Sequence, residues 1–238
     1  MFNNKLTAFY ICNIVKTLLF LHGWGGNRAS FANTEPFFAP RFNCLFPEFP
    51  TEPPNGRPWA LRDYVTIAER QLESAQTDKF SIIAHSFGCR VAVLLALKHP
   101  NRFEHIILTG AAGIKPRFRL NIWLKIKLYK LRKKLFKNAR GGSPDYRKLS
   151  NPGKETFQNI INRDLRPEIK RLGHQFRQIP TLLIWGKKDK STPLYMAKEW
   201  TKHLQQSTLT IYKNSGHFCF IDEPARFTAD VFKFLVDS

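Results

Sequence analysis

Acidic side chains are scarce in this sequence. The 238-residue chain carries 18 Asp and Glu against 38 Lys and Arg, a formal net charge of +20. No acid at all stands between Glu104 and Asp145. Cysteine is sparse too: Cys12, Cys44, Cys89 and Cys219 lie far apart, without the paired spacing of a zinc site. A chain of this length needs no disulfide scaffold, so the thiols point to a reducing compartment. No apolar run approaches the roughly 20 residues that cross a bilayer. Met1 to Phe20 is interrupted by Lys16 and shows no small-residue cleavage pattern, so it reads as two short strands and not as a signal peptide. No internal repeat is found. These absences lead to the expectation of a cytoplasmic protein, with peripheral membrane contact left open by its charge.

Apolar content is ample by comparison. Hydrophobic residues make up 43% of the chain, enough for one substantial core with a small insertion. The positive surplus implies an acidic partner, whether nucleic acid, anionic lipid or an acidic protein, and does not bear on the fold. Strands are read at Thr17 to Leu21, Phe42 to Phe46, Phe80 to Ala84, Ile106 to Thr109, Thr181 to Trp185 and Leu209 to Tyr212. They are near-continuous apolar runs alternating with helical patterns at Trp59 to Ser74, after Ser86, at Leu194 to Leu204 and at Pro224 to Val236. Such runs are the mark of a parallel sheet covered on both faces. Ile114 to about Arg177 shows no convincing strand and reads as an inserted helical cap. The expected division is therefore a core over residues 1–113, a basic cap over 114–177 and the rest of the core over 178–238.

The chemistry begins at Ser86. It sits in Ala84-His85-Ser86-Phe87-Gly88, between an apolar strand and an apolar helix. A strand-turn-helix with serine at its tip exposes the hydroxyl on a strained backbone, and only small residues fit two positions either side. Serine alone is a weak nucleophile and needs an imidazole and a carboxylate. Asp189, in Trp185-Gly186-Lys187-Lys188-Asp189, and His217, in Asn214-Ser215-Gly216-His217, each follow a strand, where reactive groups collect in open α/β sheets. No acid after the fourth strand competes with Asp189. His85, next to Ser86, is expected to face elsewhere as a packing residue, and His22 to steady the glycine loop. The amides of Trp24 and Phe87 are the candidate oxyanion donors, with Gly23, Gly25 and Gly26 allowing close approach of the backbone. That loop lacks the Lys-Ser/Thr ending of a phosphate cradle, so nucleotide binding is not expected.

His-Gly-Trp-Gly-Gly-Asn, Ala-His-Ser-Phe-Gly, Trp-Gly-Lys-Lys-Asp and Gly-His occur in the order of the α/β-hydrolase superfamily, which the chain resembles over nearly its full length. The resemblance implies an α/β-hydrolase fold: a mostly parallel central sheet, helices on both faces and a short helical cap after the fourth clear strand. It also implies Ser86 as nucleophile, His217 as base, Asp189 as orienting acid, and the Trp24 and Phe87 amides as oxyanion hole. The implied activity is cleavage of a carboxylic ester or thioester through an acyl-enzyme, with no metal or organic cofactor. Carbon–carbon bond hydrolysis uses the same three residues and remains open, as does a membrane-associated or protein-binding module on a hydrolase scaffold. Haloalkane dehalogenation would need a carboxylate where Ser86 stands. The sequence departs from the family pattern at Ala84, commonly Gly, and at Glu48-Phe49-Pro50-Thr51-Glu52, which lacks the usual glycine-rich turn. The N-terminal hairpin is also short.

Lys115 to Arg140 holds eleven Lys and Arg and no acid, with Leu120, Leu124, Leu128, Leu131 and Leu135 at helical spacing. Such a helix suits the catalytic core, an anionic membrane or an acidic protein; no motif for reading nucleic acid accompanies it, so that partner is not expected. In this superfamily an insertion at this point covers the site. Phe118, Ile122, Trp123 and Tyr129, with Gly23 and Trp24, would then bind a small-molecule or acyl-chain substrate. The His-Gly-Trp-Gly loop is similar to that of the pimeloyl-[acyl-carrier protein] methyl ester carboxylesterases of biotin synthesis. That weaker resemblance implies an acidic acyl carrier protein meeting Lys130, Arg132, Lys133, Lys134 and Lys137.

Overall fold

A computed structural model of the chain describes residues 16–116, 144–175 and 178–237. Six strands form one sheet: β1 (Thr17–Leu21), β2 (Asn43–Leu45), β3 (Phe80–His85), β4 (Phe103–Thr109), β5 (Thr181–Gly186) and β6 (Ser207–Tyr212). Their order is β2-β1-β3-β4-β5-β6, and each neighbouring pair is parallel. The helices are α1 (Glu35–Phe38), α2 (Leu61–Ser74), α3 (Phe87–Lys98), α4 (Pro144–Lys148), α5 (Asn151–Asn162), α6 (Arg166–Gln175), α7 (Leu194–His203), α8 (Cys219–Asp222) and α9 (Pro224–Asp237). The parallel sheet, the helices and the inserted helical region match the expected fold class.

Alternation along the strands sorts the core into two layers. Leu19, Leu21, Ile82 and Ala84 face α2, α3, α6 and α7, where Leu61, Leu72, Leu95, Leu172 and Trp200 are buried. Leu18, Phe20 and Ile83 face the opposite layer of Phe31, Phe38, Phe220, Phe227 and Val231. Every residue of β1, β3 and β5 is buried, which is why those strands read as unbroken apolar runs. The two edge strands differ from the sequence reading. β2 is only three residues long, and β6 begins at Ser207, two residues before the apolar run, because an edge strand with exposed positions tolerates polar residues. β4 likewise starts at Phe103, which pairs with Phe80. α2 starts at Leu61 and not Trp59, since the Asp63 carboxylate accepts the Ala60 amide at 2.8 Å and caps the helix there.

Between β4 and β5 the described residues include α4, α5 and α6 and no strand, and four hydrogen bonds tie them to the sheet layers. Ser150 N donates to Glu52 Oε1 at 2.8 Å and Trp59 N donates to Thr156 Oγ1 at 2.8 Å. Arg90 Nη1 donates to the Arg163 carbonyl at 2.7 Å and Leu165 N to the Gly113 carbonyl at 2.8 Å. Among the described residues no helix is long and apolar enough to cross a membrane. The N-terminal hairpin expected before β1 lies outside the described residues.

Helix α3 approaches β1 closely at Gly88, where an added Cβ would fall 2.3 Å from the Leu21 carbonyl oxygen. Gly88→Ala is therefore expected to lower stability by about 2–3 kcal/mol, the cost of forcing packed elements apart. Urea denaturation reads it, and a loss below about 0.5 kcal/mol would contradict this packing.

Candidate active site

Ser86 separates β3 from α3 with φ 50° and ψ −109°, a left-handed conformation in a residue that is not glycine. Such a backbone costs about 1–3 kcal/mol and persists only where its surroundings hold it. Three hydrogen bonds do so: Ser86 N donates to the Thr109 carbonyl at 3.1 Å, and the Ser86 carbonyl accepts Cys89 N at 3.1 Å and Ala112 N at 3.2 Å. The end of β4, the residues just beyond it and the start of α3 thus fix the hydroxyl at the C-terminal end of the sheet.

The loops after β5 and β6 bring the other two groups to the same place. Lys187 N donates to the Tyr212 carbonyl at 2.8 Å and Lys188 N to the Ser215 carbonyl at 3.0 Å, so the two loops are laced together. Gly186 makes that approach possible, since a Cβ there would lie 1.9 Å from the Gly216 carbonyl oxygen. Across this contact His217 Nδ1 lies 2.8 Å from Asp189 Oδ2, and His217 Nε2 lies 3.0 Å from Ser86 Oγ. The Asp189 side chain is wholly buried. Burial alone would raise its pKa, but hydrogen bonds from His217 and Thr192 outweigh that and hold it below the ordinary carboxylate value. An ionised Asp189 accepts from Nδ1–H and leaves the Nε2 lone pair facing the Ser86 hydroxyl.

His85 does not lie far from this relay. Its ring packs 4.7 Å from that of His217, and its Nε2 donates to the His217 carbonyl at 3.1 Å. Burial, then the neighbouring His217, pushes the His85 pKa down to about 3, so the ring is neutral and serves as packing. His22 Nδ1 donates to the Gly23 carbonyl at 2.8 Å, while its Nε2 accepts the Phe49 amide at 3.0 Å, joining the glycine loop to the segment after β2. Gly23 itself abuts His85 and Ser86. Among the described residues, the amides of Trp24 and Phe87 donate to no protein acceptor. Their rings meet edge to face at 5.4 Å.

Several contributors escaped the sequence reading. Thr192 holds Asp189 through both its amide and its hydroxyl. Phe157 of α5 lies 5.4 Å from the Trp24 ring and 5.5 Å from Tyr146, continuing the aromatic contact into the insertion. Arg90, buried in α3, and Glu52, after β2, anchor the two ends of α5. Arg90 had a visible signal, a single charge inside an apolar helix. Thr192 had a fainter one, a hydroxyl three residues beyond an acid, where side chain and turn amides converge on a carboxylate. Phe118, Ile122, Trp123, Tyr129, Lys130, Arg132, Lys133, Lys134 and Lys137 lie outside the described residues.

A profile described as the alpha/beta hydrolase family matches residues 18–231. The chain belongs to the alpha/beta hydrolase family. This family member is 25% identical over 264 residues to an uncharacterized protein of Mycobacterium tuberculosis, covering 96% of the chain and 77% of that relative. It is 24% identical over 241 residues to a pimeloyl-[acyl-carrier protein] methyl ester esterase of Neisseria meningitidis, covering 90% of the chain and 91% of the relative. A solved meta-cleavage product hydrolase of Pseudomonas fluorescens superposes with TM-score 0.70 at 18% identity, covering 93% and 91% of the two chains. At that identity the likeness speaks for fold alone.

The depressed Asp189 pKa makes a stability prediction. Stability contributed by the carboxylate is present above the unfolded value of about 4 and is lost as pH falls through the lower folded value. The unfolding free energy of the wild type minus that of Asp189→Asn should therefore shrink as pH falls below about 4. Urea titrations across about pH 2–5 read the difference, and one that grows toward acid within that window would contradict the assigned ionisation.

Proposed function

We propose that this alpha/beta hydrolase family member is a serine hydrolase that cleaves a carboxylic ester or thioester through an acyl-enzyme. The observation that carries the reading is the unbroken hydrogen-bonded line from Asp189 through His217 to Ser86. In the first step His217 Nε2 takes the Ser86 proton as Oγ attacks the acyl carbon, and Asp189 holds the imidazolium that forms. The negative charge that develops on the carbonyl oxygen is met by the Trp24 and Phe87 amides. His217 then gives its proton to the departing alkoxide or thiolate, and the acyl group stays on Ser86 Oγ. Water, deprotonated by His217, attacks that acyl group and releases the acid and the serine hydroxyl.

Within this reading, residues 1–113 and 178–238 form the catalytic core and residues 114–177 form the cap. The substrate we assign is an acyl ester carried by an acidic acyl carrier protein, of the pimeloyl methyl ester type. Two features support it: the Neisseria relative named for that substrate, and the eleven basic residues between Lys115 and Arg140 without one acid. Phe118, Ile122, Trp123 and Tyr129 would line the acyl chain, while Lys130, Arg132, Lys133, Lys134 and Lys137 would meet the carrier. Cys44, Cys89 and Cys219 are free thiols, which supports a cytoplasmic setting.

Labelling with a fluorophosphonate should occur on Ser86 and vanish in Ser86→Ala, while Ser86→Ala and His217→Ala should each lower kcat by more than about 10⁴-fold. Labelling that survives in Ser86→Ala would end the nucleophile assignment. Reversing Lys130, Arg132 and Lys133 to Glu should weaken hydrolysis of a carrier-bound ester and spare p-nitrophenyl acetate. Equal losses on both substrates would argue against docking of a carrier.

A further inference from the structure

Two side-chain donors meet the same oxygen of Asp189. His217 Nδ1 lies 2.8 Å from Oδ2, and Thr192 Oγ1 lies 2.7 Å from that atom. The other oxygen, Oδ1, accepts the amides of Ser191 and Thr192, each at 2.8 Å. Thr192 Oγ1 is also 3.3 Å from His217 Nδ1, beside the hydrogen bond that orients the imidazole. A hydroxyl has one proton to donate. Because Nδ1 carries its own proton when Nε2 faces Ser86, the Thr192 proton goes to the carboxylate. Thr192 is buried, so water does not readily stand in for it.

We propose that Thr192 is a positioning residue that sets the basicity of His217 by sharing the Asp189 oxygen with it. The inference rests on the serine hydrolase reading above. A hydroxyl donating to Oδ2 draws negative charge away from the contact that stabilises the imidazolium. His217 is thereby freed of its proton at lower pH and is available as base over a wider range. The hydroxyl also fixes the carboxylate plane against which the imidazole is aligned. Neither effect needs contact between Thr192 and the substrate.

Other titratable groups surround the pair on several elements. His85 of β3 is neutral, and the Cys219 thiol of α8 is pushed up to about 12 by burial. Asp222 accepts the Gly216 amide at 2.7 Å and Glu223 accepts the Ser215 hydroxyl at 2.6 Å, each engaged on the His217 loop. Lys187, Lys188 and Lys190 are exposed on the Asp189 loop itself. A substitution at Thr192 changes none of these charges, so a moved pH profile reports the hydroxyl.

The test compares wild type, Thr192→Val and Thr192→Ser for the pH dependence of fluorophosphonate labelling and of kcat/KM on p-nitrophenyl acetate. Val should move the acid limb upward by about half a pH unit and lower kcat per labelled site by about tenfold, with KM little changed. Ser, which keeps the hydroxyl, should return both toward wild type. An acid limb that stays in place in Thr192→Val, or a Ser variant that behaves like Val, would overturn the proposal. Rates counted per labelled site exclude unfolded protein, and Thr192→Ala carries the same expectation if Val does not fold. A wild type that neither labels nor hydrolyses would defeat the serine hydrolase reading itself; a working wild type with an unmoved Val profile defeats only the role of Thr192.

Discussion

A carboxylate taken wholly out of water loses several kcal/mol of hydration unless donors replace the solvent. Asp189 meets that demand with the amides of Ser191 and Thr192, the Thr192 hydroxyl and His217 Nδ1. Three of these donors belong to its own loop and the fourth arrives from the loop after β6. The ion is therefore stable where it is only if the two loops stay in register. Gly186 against Gly216, and the amides of Lys187 and Lys188 against β6 and its loop, provide that register. The same contacts that keep a buried charge satisfied also aim an imidazole.

The parallel sheet supplies the frame. Since β3, β4, β5 and β6 all run the same way, the segments after each strand emerge at one end, and Ser86, Thr109, Asp189 and His217 meet there. Strain at Ser86 is held by β4 and by the residues just beyond it, so the proposed nucleophile depends on a strand it does not belong to. The insertion is bound to this frame at both ends of α5, through Glu52 and Arg90. Phe157 on α5 is thus held against Trp24, the residue whose amide faces the proposed oxyanion. An aromatic seam thus runs from Phe87 through Trp24 to Phe157.

Much of this was legible in the residues. Buried strands have apolar runs because both faces are covered, and the strand-turn-helix around Ser86 is legible because small residues flank it. Asp189 and His217 were singled out by their place after strands, and the structure brings them together with Ser86. Other features were hidden for physical reasons. β6 begins in polar residues because an edge strand is half exposed. Thr192 reaches Asp189 across a turn three residues long, and a hydroxyl so placed is a faint signal beside the periodicity of a strand or helix. Glu52 lies in the very segment that departs from the family pattern, and its role comes from Ser150, 98 residues away. Contacts between distant segments leave no periodic trace in sequence.

The most direct observation of the chemistry is the covalent intermediate itself. The protein is mixed with an activated ester such as p-nitrophenyl butyrate, quenched in acid within milliseconds, digested and examined by mass spectrometry. The geometry predicts a butyryl adduct on the peptide containing Ser86, formed at a rate matching the burst of p-nitrophenol and lost as turnover completes. Hydrolysis that proceeds with no adduct on Ser86, or with the adduct on another residue, would contradict it.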